Sequence, residues 1–135
     1  CIRDRLHGRV EELDWAKFLP GVFVIRVFHM TPDEEKNAPT LHDALRPGYH
    51  HIILLDTATQ GGQDGGSGVS FNWSHVSNIP VPFLIAGGLT PDNVQEALTQ
   101  SLAAGVDTSS GVETEGQKDT AKITAYVENA RRVLS

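Results

Sequence analysis

Most features that would assign this sequence quickly are missing from it. It has one cysteine, so no internal disulfide can form, which fits a reducing compartment. It has no cluster of Lys or Arg, and its formal net charge is −6, so nucleic acid and anionic membrane are poor partners. No apolar run approaches the ~20 residues of a membrane span, and the first residues carry no signal-peptide pattern. No G-x-G-x-x-G follows the first strong strand, which argues against a dinucleotide fold. The six histidines show no metal-ligand spacing. There is no H-E-x-x-H and no Cys pair, and His50 and His51 precede a strand and cannot easily face one ion. No metal site is expected. Ser109 and Ser110 lack the G-x-S-x-G elbow of nucleophilic serine chemistry. No segment repeats, so a solenoid is excluded.

What is present supports one domain. The chain has 135 residues, 39% of them apolar, enough for one core. It begins with Cys1 rather than Met. The expectation is a processed chain, a domain cut from something longer, or a fragment.

Strand and helix signals alternate along the chain. Residues 1–8 are a strand candidate, although Arg3, Asp4 and Arg5 are out of place in a buried parallel strand. Val10, Leu13, Trp15, Phe18 and Leu19 recur at near-helical spacing, and Pro20-Gly21 stops that helix. Val22 to Phe28 is a buried strand broken by Arg26, which would line a barrel interior, pair with a carboxylate there, or point to solvent from an edge. Thr31-Pro32-Asp33-Glu34 resembles a helix cap, but Asn37-Ala38-Pro39 interrupts it. The expected helix therefore spans Thr40 to Arg46. His51 to Thr57 is the next strand, with Asp56 at its C-terminal end. Residues 58–70 hold five glycines, and a loop this long and Gly-rich is usually functional. Val81 to Ala86 is a strand. Thr90 is expected to cap a helix whose apolar face is Val94, Ala97, Leu98 and Leu102, ended by Gly105. Val106 to Thr108 is a short strand. The last helix, Asp119 to Leu134, is expected to bury Ile123, Tyr126, Val127, Ala130, Val133 and Leu134. Alternating strands and short helices mean an α/β fold with a parallel sheet.

Residues 81–113 carry the functional signal. An apolar run ends in Gly87-Gly88 with a helix start close behind, and a second strand ends in Asp107 followed by Ser109-Ser110-Gly111. Glycine lets backbone N–H groups approach an anion, and a helix start adds a positive dipole end. Two such turns on successive strands are how (β/α)₈ barrels hold a phosphate after strands seven and eight. In such a barrel the active site lies at the C-terminal strand ends, where His7, His29, Asp56, Gly87, Gly88 and Asp107 fall. Asp56 follows four apolar residues. Desolvation there would raise its pKa and suit a general acid. Equally, Asp56 could cap the strand end or bond loop N–H groups, and Asp107 has the same two readings. Cys1 sits at a terminus that rarely supports a nucleophile or base.

These residues form an ordered set: Leu54-Leu55-Asp56-Thr57, then Gly65-Gly66-Ser67-Gly68 with Phe71 and Trp73, then Ala86-Gly87-Gly88-Leu89-Thr90-Pro91-Asp92-Asn93-Val94, then Val106-Asp107-Thr108-Ser109-Ser110-Gly111-Val112-Glu113, then Lys118-Asp119. The set resembles the phosphoribosylanthranilate isomerase family, densely over residues 51–135. The resemblance implies a (β/α)₈ TIM barrel of which this chain covers about five βα units, as the C-terminal portion of a single barrel domain. It implies an Amadori rearrangement of N-(5′-phosphoribosyl)anthranilate to 1-(2-carboxyphenylamino)-1-deoxyribulose 5-phosphate, in tryptophan biosynthesis, in the cytoplasm, without cofactor or metal. Asp56 would be the general acid on the furanose ring oxygen. The family's general base is a cysteine in a Cys-Gly-Ile context on strand one. Cys1 is followed by Ile2-Arg3, so the role is not carried onto it. The phosphate would rest on Gly87, Gly88, Ser110 and Gly111 beside Ser109, Asp107 would position the sugar, and the loop with Gly66 and Ser67 would close over the substrate. The implied partners are the small phosphoribosyl substrate and either a missing N-terminal half-barrel or other tryptophan-pathway domains in a fusion. The 135-residue chain alone is expected to be poorly folded or oligomeric and inactive as an isomerase. The rival readings are a non-catalytic half-barrel that binds a phosphate or a partner half, and another phosphosugar-binding barrel enzyme.

Overall fold

The computed structural model describes residues 2–6, 22–45, 52–57 and 71–135. Five strands make one sheet: β1 (Ile2–Leu6), β2 (Val22–His29), β3 (Ile52–Asp56), β4 (Phe83–Ala86) and β5 (Gly105–Val106). All pairings are parallel, and the order across the sheet is the order along the chain. Helix α1 (Glu34–Ala44) follows β2, a 3₁₀ turn (Trp73–Val76) follows β3, α2 (Val94–Ser101) follows β4 and α3 (Thr120–Leu134) follows β5. A small antiparallel hairpin, β6 (Glu113–Thr114) and β7 (Gln117–Lys118), sits between β5 and α3.

Strands β2, β3 and β4 are buried on both faces, which is why their sequences are almost wholly apolar. Phe28, Ile53, Leu55, Phe83 and Ile85 pack with Ala44, Val76, Val94, Ala97, Leu98, Tyr126 and Ala130 in one cluster. This is the face covered by helices. The alternate residues, Ile25, Val27, Leu54 and Ala86, form a second cluster with Phe23, Ile52 and Leu84, as the period of two requires. Only strand residues contribute to it among the described residues. A doubly wound sheet reverses its strand order and carries helices on both faces. Here the order never reverses and the helices lie on one face, so the architecture is that of a (β/α)₈ barrel, present as about five of its units.

The strand candidate at the start of the chain is present as Ile2–Leu6, despite Arg3, Asp4 and Arg5. Several other expectations need correction. Arg26 does not line the barrel interior. It shares the helix-facing side with Phe28, is 9% exposed, and its guanidinium carbon lies 4.7 Å from the Phe28 ring centre. Helix α1 begins at Glu34 and runs through Pro39, rather than starting at Thr40. Asn37 explains this. It is buried, accepts from Thr31 N–H at 2.8 Å and donates to the Thr31 carbonyl at 2.7 Å, while Asp33 Oδ1 accepts from Lys36 N–H at 3.4 Å. These bonds nucleate the first turn and offset what Pro39 costs.

Helix α2 starts at Val94 and ends at Ser101, and Leu102 is not part of its buried face. Leu102 adopts the left-handed conformation (φ 58°) that closes the helix, and its side chain is largely exposed. In α3 only Tyr126 and Ala130 are buried. Ile123, Val127, Val133 and Leu134 are between 37% and 46% exposed. Their spacing is amphipathic, but α3 packs on α2 through the other residues. The helix signal over 10–19, the stop at Pro20-Gly21, and the glycine loop at 58–70 fall outside the described residues, as do Cys1, His7, His50, His51, Gly66 and Ser67.

Candidate active site

Strand register brings the candidate residues to one edge. His29, Asp56 and Ala86 are direct neighbours at the ends of β2, β3 and β4. Asp107 follows β5 there, and its N–H donates to the Ile85 carbonyl at 2.9 Å. Asp56 is partly buried, and its Oδ2 lies 3.4 Å from His29 Nδ1. The carboxylate therefore stands at the sheet rim beside an imidazole, with the apolar strand interior below it. Asp107 is half-buried. Burial, and then the Asp107 charge, push the Tyr126 phenol well above its ordinary value of 10.0.

The first glycine turn is held through its carbonyls. Gly87 and Gly88 have φ of 93° and 64°, a region that favours glycine. No hydrogen bond among the described residues occupies either N–H. Their carbonyl neighbours are taken. The Ala86 carbonyl accepts from Thr57 N–H (2.8 Å), and the Thr57 hydroxyl is shared between the Ala86 (2.9 Å) and Gly87 (3.3 Å) carbonyls. Asn93 Nδ2 donates to the Gly88 carbonyl at 2.9 Å, and Asn93 Oδ1 accepts from Thr90 N–H at 2.8 Å. Thr90 was the expected cap. Because Asn93 spends its side chain on the glycine turn, a turn at 91–93 precedes α2 instead.

The second turn packs directly on the first. The Thr108 hydroxyl donates to the Leu89 carbonyl at 2.7 Å. Gly111 lies so close that a Cβ there would stand 1.7 Å from that same oxygen. Ser109 and Ser110 are exposed above it. Lys118, on the hairpin, donates to the Ser109 carbonyl (2.8 Å), the Ser109 hydroxyl (3.1 Å) and Glu113 Oε1 (2.5 Å). The hairpin reverses through Glu115 (φ 51°) and Gly116 (φ 77°), the pattern of a tight two-residue turn.

A family model described as N-(5′-phosphoribosyl)anthranilate (PRA) isomerase matches residues 5–129. The chain belongs to the N-(5′-phosphoribosyl)anthranilate isomerase family.

Among its curated relatives, a multifunctional tryptophan biosynthesis protein of Schizosaccharomyces pombe is 43% identical over 91% of this chain and 15% of its own length. An N-(5′-phosphoribosyl)anthranilate isomerase of Stenotrophomonas maltophilia is 40% identical over 95% of this chain and 57% of its own. The solved phosphoribosyl anthranilate isomerase of Thermotoga maritima superposes with a TM-score of 0.72 at 31% identity, covering 96% of this chain and 62% of that one. The chain thus spans less than two thirds of the length of these isomerases. Another solved isomerase, with a TM-score of 0.69 and 26% identity, is in complex with reduced 1-(o-carboxyphenylamino)-1-deoxyribulose 5-phosphate.

Within this isomerase-family frame, the described candidates Asp56, Gly87, Gly88, Asp107, Ser109, Ser110 and Gly111 lie at or after the C-terminal ends of three neighbouring strands. Thr57, Asn93, Thr108 and Lys118 support the two turns without standing out in the sequence. Their types are common in loops and caps, and only the strand register shows what they reach. Among the described residues no group of His, Cys, Asp and Glu could hold a metal ion, and no helix is long and apolar enough to cross a membrane.

Proposed function

We propose that this chain is the C-terminal portion of a barrel domain that isomerises N-(5′-phosphoribosyl)anthranilate to 1-(2-carboxyphenylamino)-1-deoxyribulose 5-phosphate. The supporting observation is the alignment of Asp56 with two interlocked glycine turns on successive strand ends, inside the stretch that the family model matches. The phosphate sits on N–H groups of Gly87, Gly88, Ser110 and Gly111, with Ser109 at its side. Asp107 positions the ribose, and Gly66 and Ser67 belong to the loop that closes over it. Asp56 gives its proton to the furanose ring oxygen. The C1′–O bond breaks and the anilino nitrogen supplies its lone pair, which leaves a Schiff base. A base on the remainder of the barrel then removes the C2′ proton, and the enolamine ketonises to product. A soluble cytoplasmic enzyme of tryptophan synthesis, free or fused to pathway neighbours, is the matching setting.

The test is turnover of the substrate, followed by loss of its fluorescence, in a barrel whose other strands come from the Thermotoga maritima relative. Asp56→Asn should lower kcat by about 100-fold or more and change KM little, since general acid catalysis is worth about that much. An Asp56→Asn chimera with unchanged kcat would refute the assignment.

A further inference from the structure

We infer that Thr57, Asn93, Thr108 and Lys118 are positioning residues: they tie back the carbonyls of both turns so that the neighbouring N–H groups face the phosphate. The inference rests on the phosphate reading above and deepens it. Across a trans peptide, the C=O of one residue and the N–H of the next point in opposite directions. All described peptides here are trans. Holding a carbonyl therefore aims the following N–H.

In the first turn the Ala86 and Gly87 carbonyls face Thr57, and the Gly88 carbonyl faces Asn93. The N–H groups of Gly87, Gly88 and Leu89 are thereby directed to the other side. In the second turn Lys118 holds the Ser109 carbonyl, and Glu113 N–H holds that of Ser110. This aims the N–H groups of Ser110 and Gly111. An untethered glycine turn could flip a peptide and present a carbonyl oxygen to the anion, which repels it. The side-chain tethers prevent that.

Thr108 has a second effect. Its bond to the Leu89 carbonyl, beside the close approach of Gly111, fixes the two turns relative to each other. An anion bridging both turns needs that spacing held. The hydroxyl of Thr108 is spent on protein, so it touches no ligand, and its effect on binding is indirect.

The test uses the same completed barrel as above, with inorganic phosphate as the probe. Affinity is read by calorimetry, and the responding segments by hydrogen exchange. For the wild type, phosphate should slow exchange over residues 86–90 and 108–112. Thr108→Val keeps the shape and removes the hydroxyl. It should weaken phosphate binding about fivefold, the scale of one hydrogen bond, and speed exchange in those two segments while β2 and β3 keep their protection. Thr108→Ser should restore both. Asn93→Ala releases the Gly88 carbonyl and should weaken binding as well, which keeps the test open if the Val variant loses its fold. If the wild type binds phosphate at these segments and Thr108→Val and Asn93→Ala bind it equally well, the inference is overturned and the phosphate reading stands. A wild type that shows no phosphate response at either segment overturns both.

Discussion

Gly111 is the position where one added carbon should matter most. An ideal Cβ there would stand 1.7 Å from the Leu89 carbonyl oxygen, 2.8 Å from its carbon and 2.8 Å from Thr108 Oγ1. A carbon and a carbonyl oxygen in contact sit about 3.3 Å apart, so the two turns must separate by roughly 1.5 Å. The obstacle is backbone, and it is held by Thr108. Overpacking of this kind costs about 1–3 kcal/mol, and losing the Thr108 bond adds about 1 kcal/mol. Gly111→Ala should therefore lose about 3 kcal/mol, or about 10 °C in Tm for a chain of this size.

Three other glycines provide the scale. Gly88 and Gly116 have open space for a Cβ but positive φ (64° and 77°), so alanine costs about 1–2 kcal/mol at each. At Gly105 a Cβ would meet Leu84 Cδ2 at 2.8 Å, the end of a flexible side chain, and a rotamer adjustment costs at most about 1.5 kcal/mol. The assay is urea unfolding followed by tryptophan fluorescence. The interlocked-turn picture is wrong if Gly111→Ala proves milder than Gly88→Ala.

Two further outcomes follow from the same structure. Leu102 occupies a left-handed helix end with its side chain in solvent, so Leu102→Gly should raise stability by about 0.5–1 kcal/mol after the unfolded-state entropy of glycine is subtracted, measured by the shift in urea midpoint. Asp119 caps α3, and its carboxyl is held below its ordinary 3.8 first by the Thr114 hydroxyl and then by the Lys122 N–H. A folded-state value below the unfolded one stabilises above 3.8 and is lost as pH falls through the folded value. The stability advantage of wild type over Asp119→Asn should thus hold near neutrality and close below 3.8 in urea titrations at stepped pH, whereas an advantage that persists at the acid end would contradict the capping role.

The strand cores and both glycine turns were legible because their signals are local. An unbroken run such as Ile52 to Leu55 can only be buried on two faces, and glycine pairs at strand ends announce unusual backbone. Helix boundaries were harder, because side chains decided them. Asn37 starts α1 ahead of a proline. Asn93 occupies the N-cap position of α2 but makes no side-chain cap bond, and its side chain ties the glycine turn instead. An asparagine in a sequence offers two donors and an acceptor without saying which neighbours will use them. The apolar face of α3 is buried less than its spacing predicts, for a related reason. Periodicity names the face that can be buried, while the packing partner decides how much of it is.

The same distinction separates the two layers of the candidate site. The residues proposed to meet the ligand carry family-typical spacing, so Gly87, Gly88, Ser109, Ser110 and Gly111 could be named from the chain alone. The residues that aim them are scattered over β7, the segments after β3 and β5, and the turn before α2. Thr57 and Thr108 lie 51 positions apart in sequence, yet both donate to carbonyls of the one turn at residues 86–89. Because a trans peptide couples each carbonyl to the next N–H, the direction of the site's donors is set by the hydroxyl, amide and ammonium groups that hold those carbonyls. The strength of that site should therefore respond to substitution of these tethers, about fivefold for Thr108→Val, as well as to changes in the turns themselves.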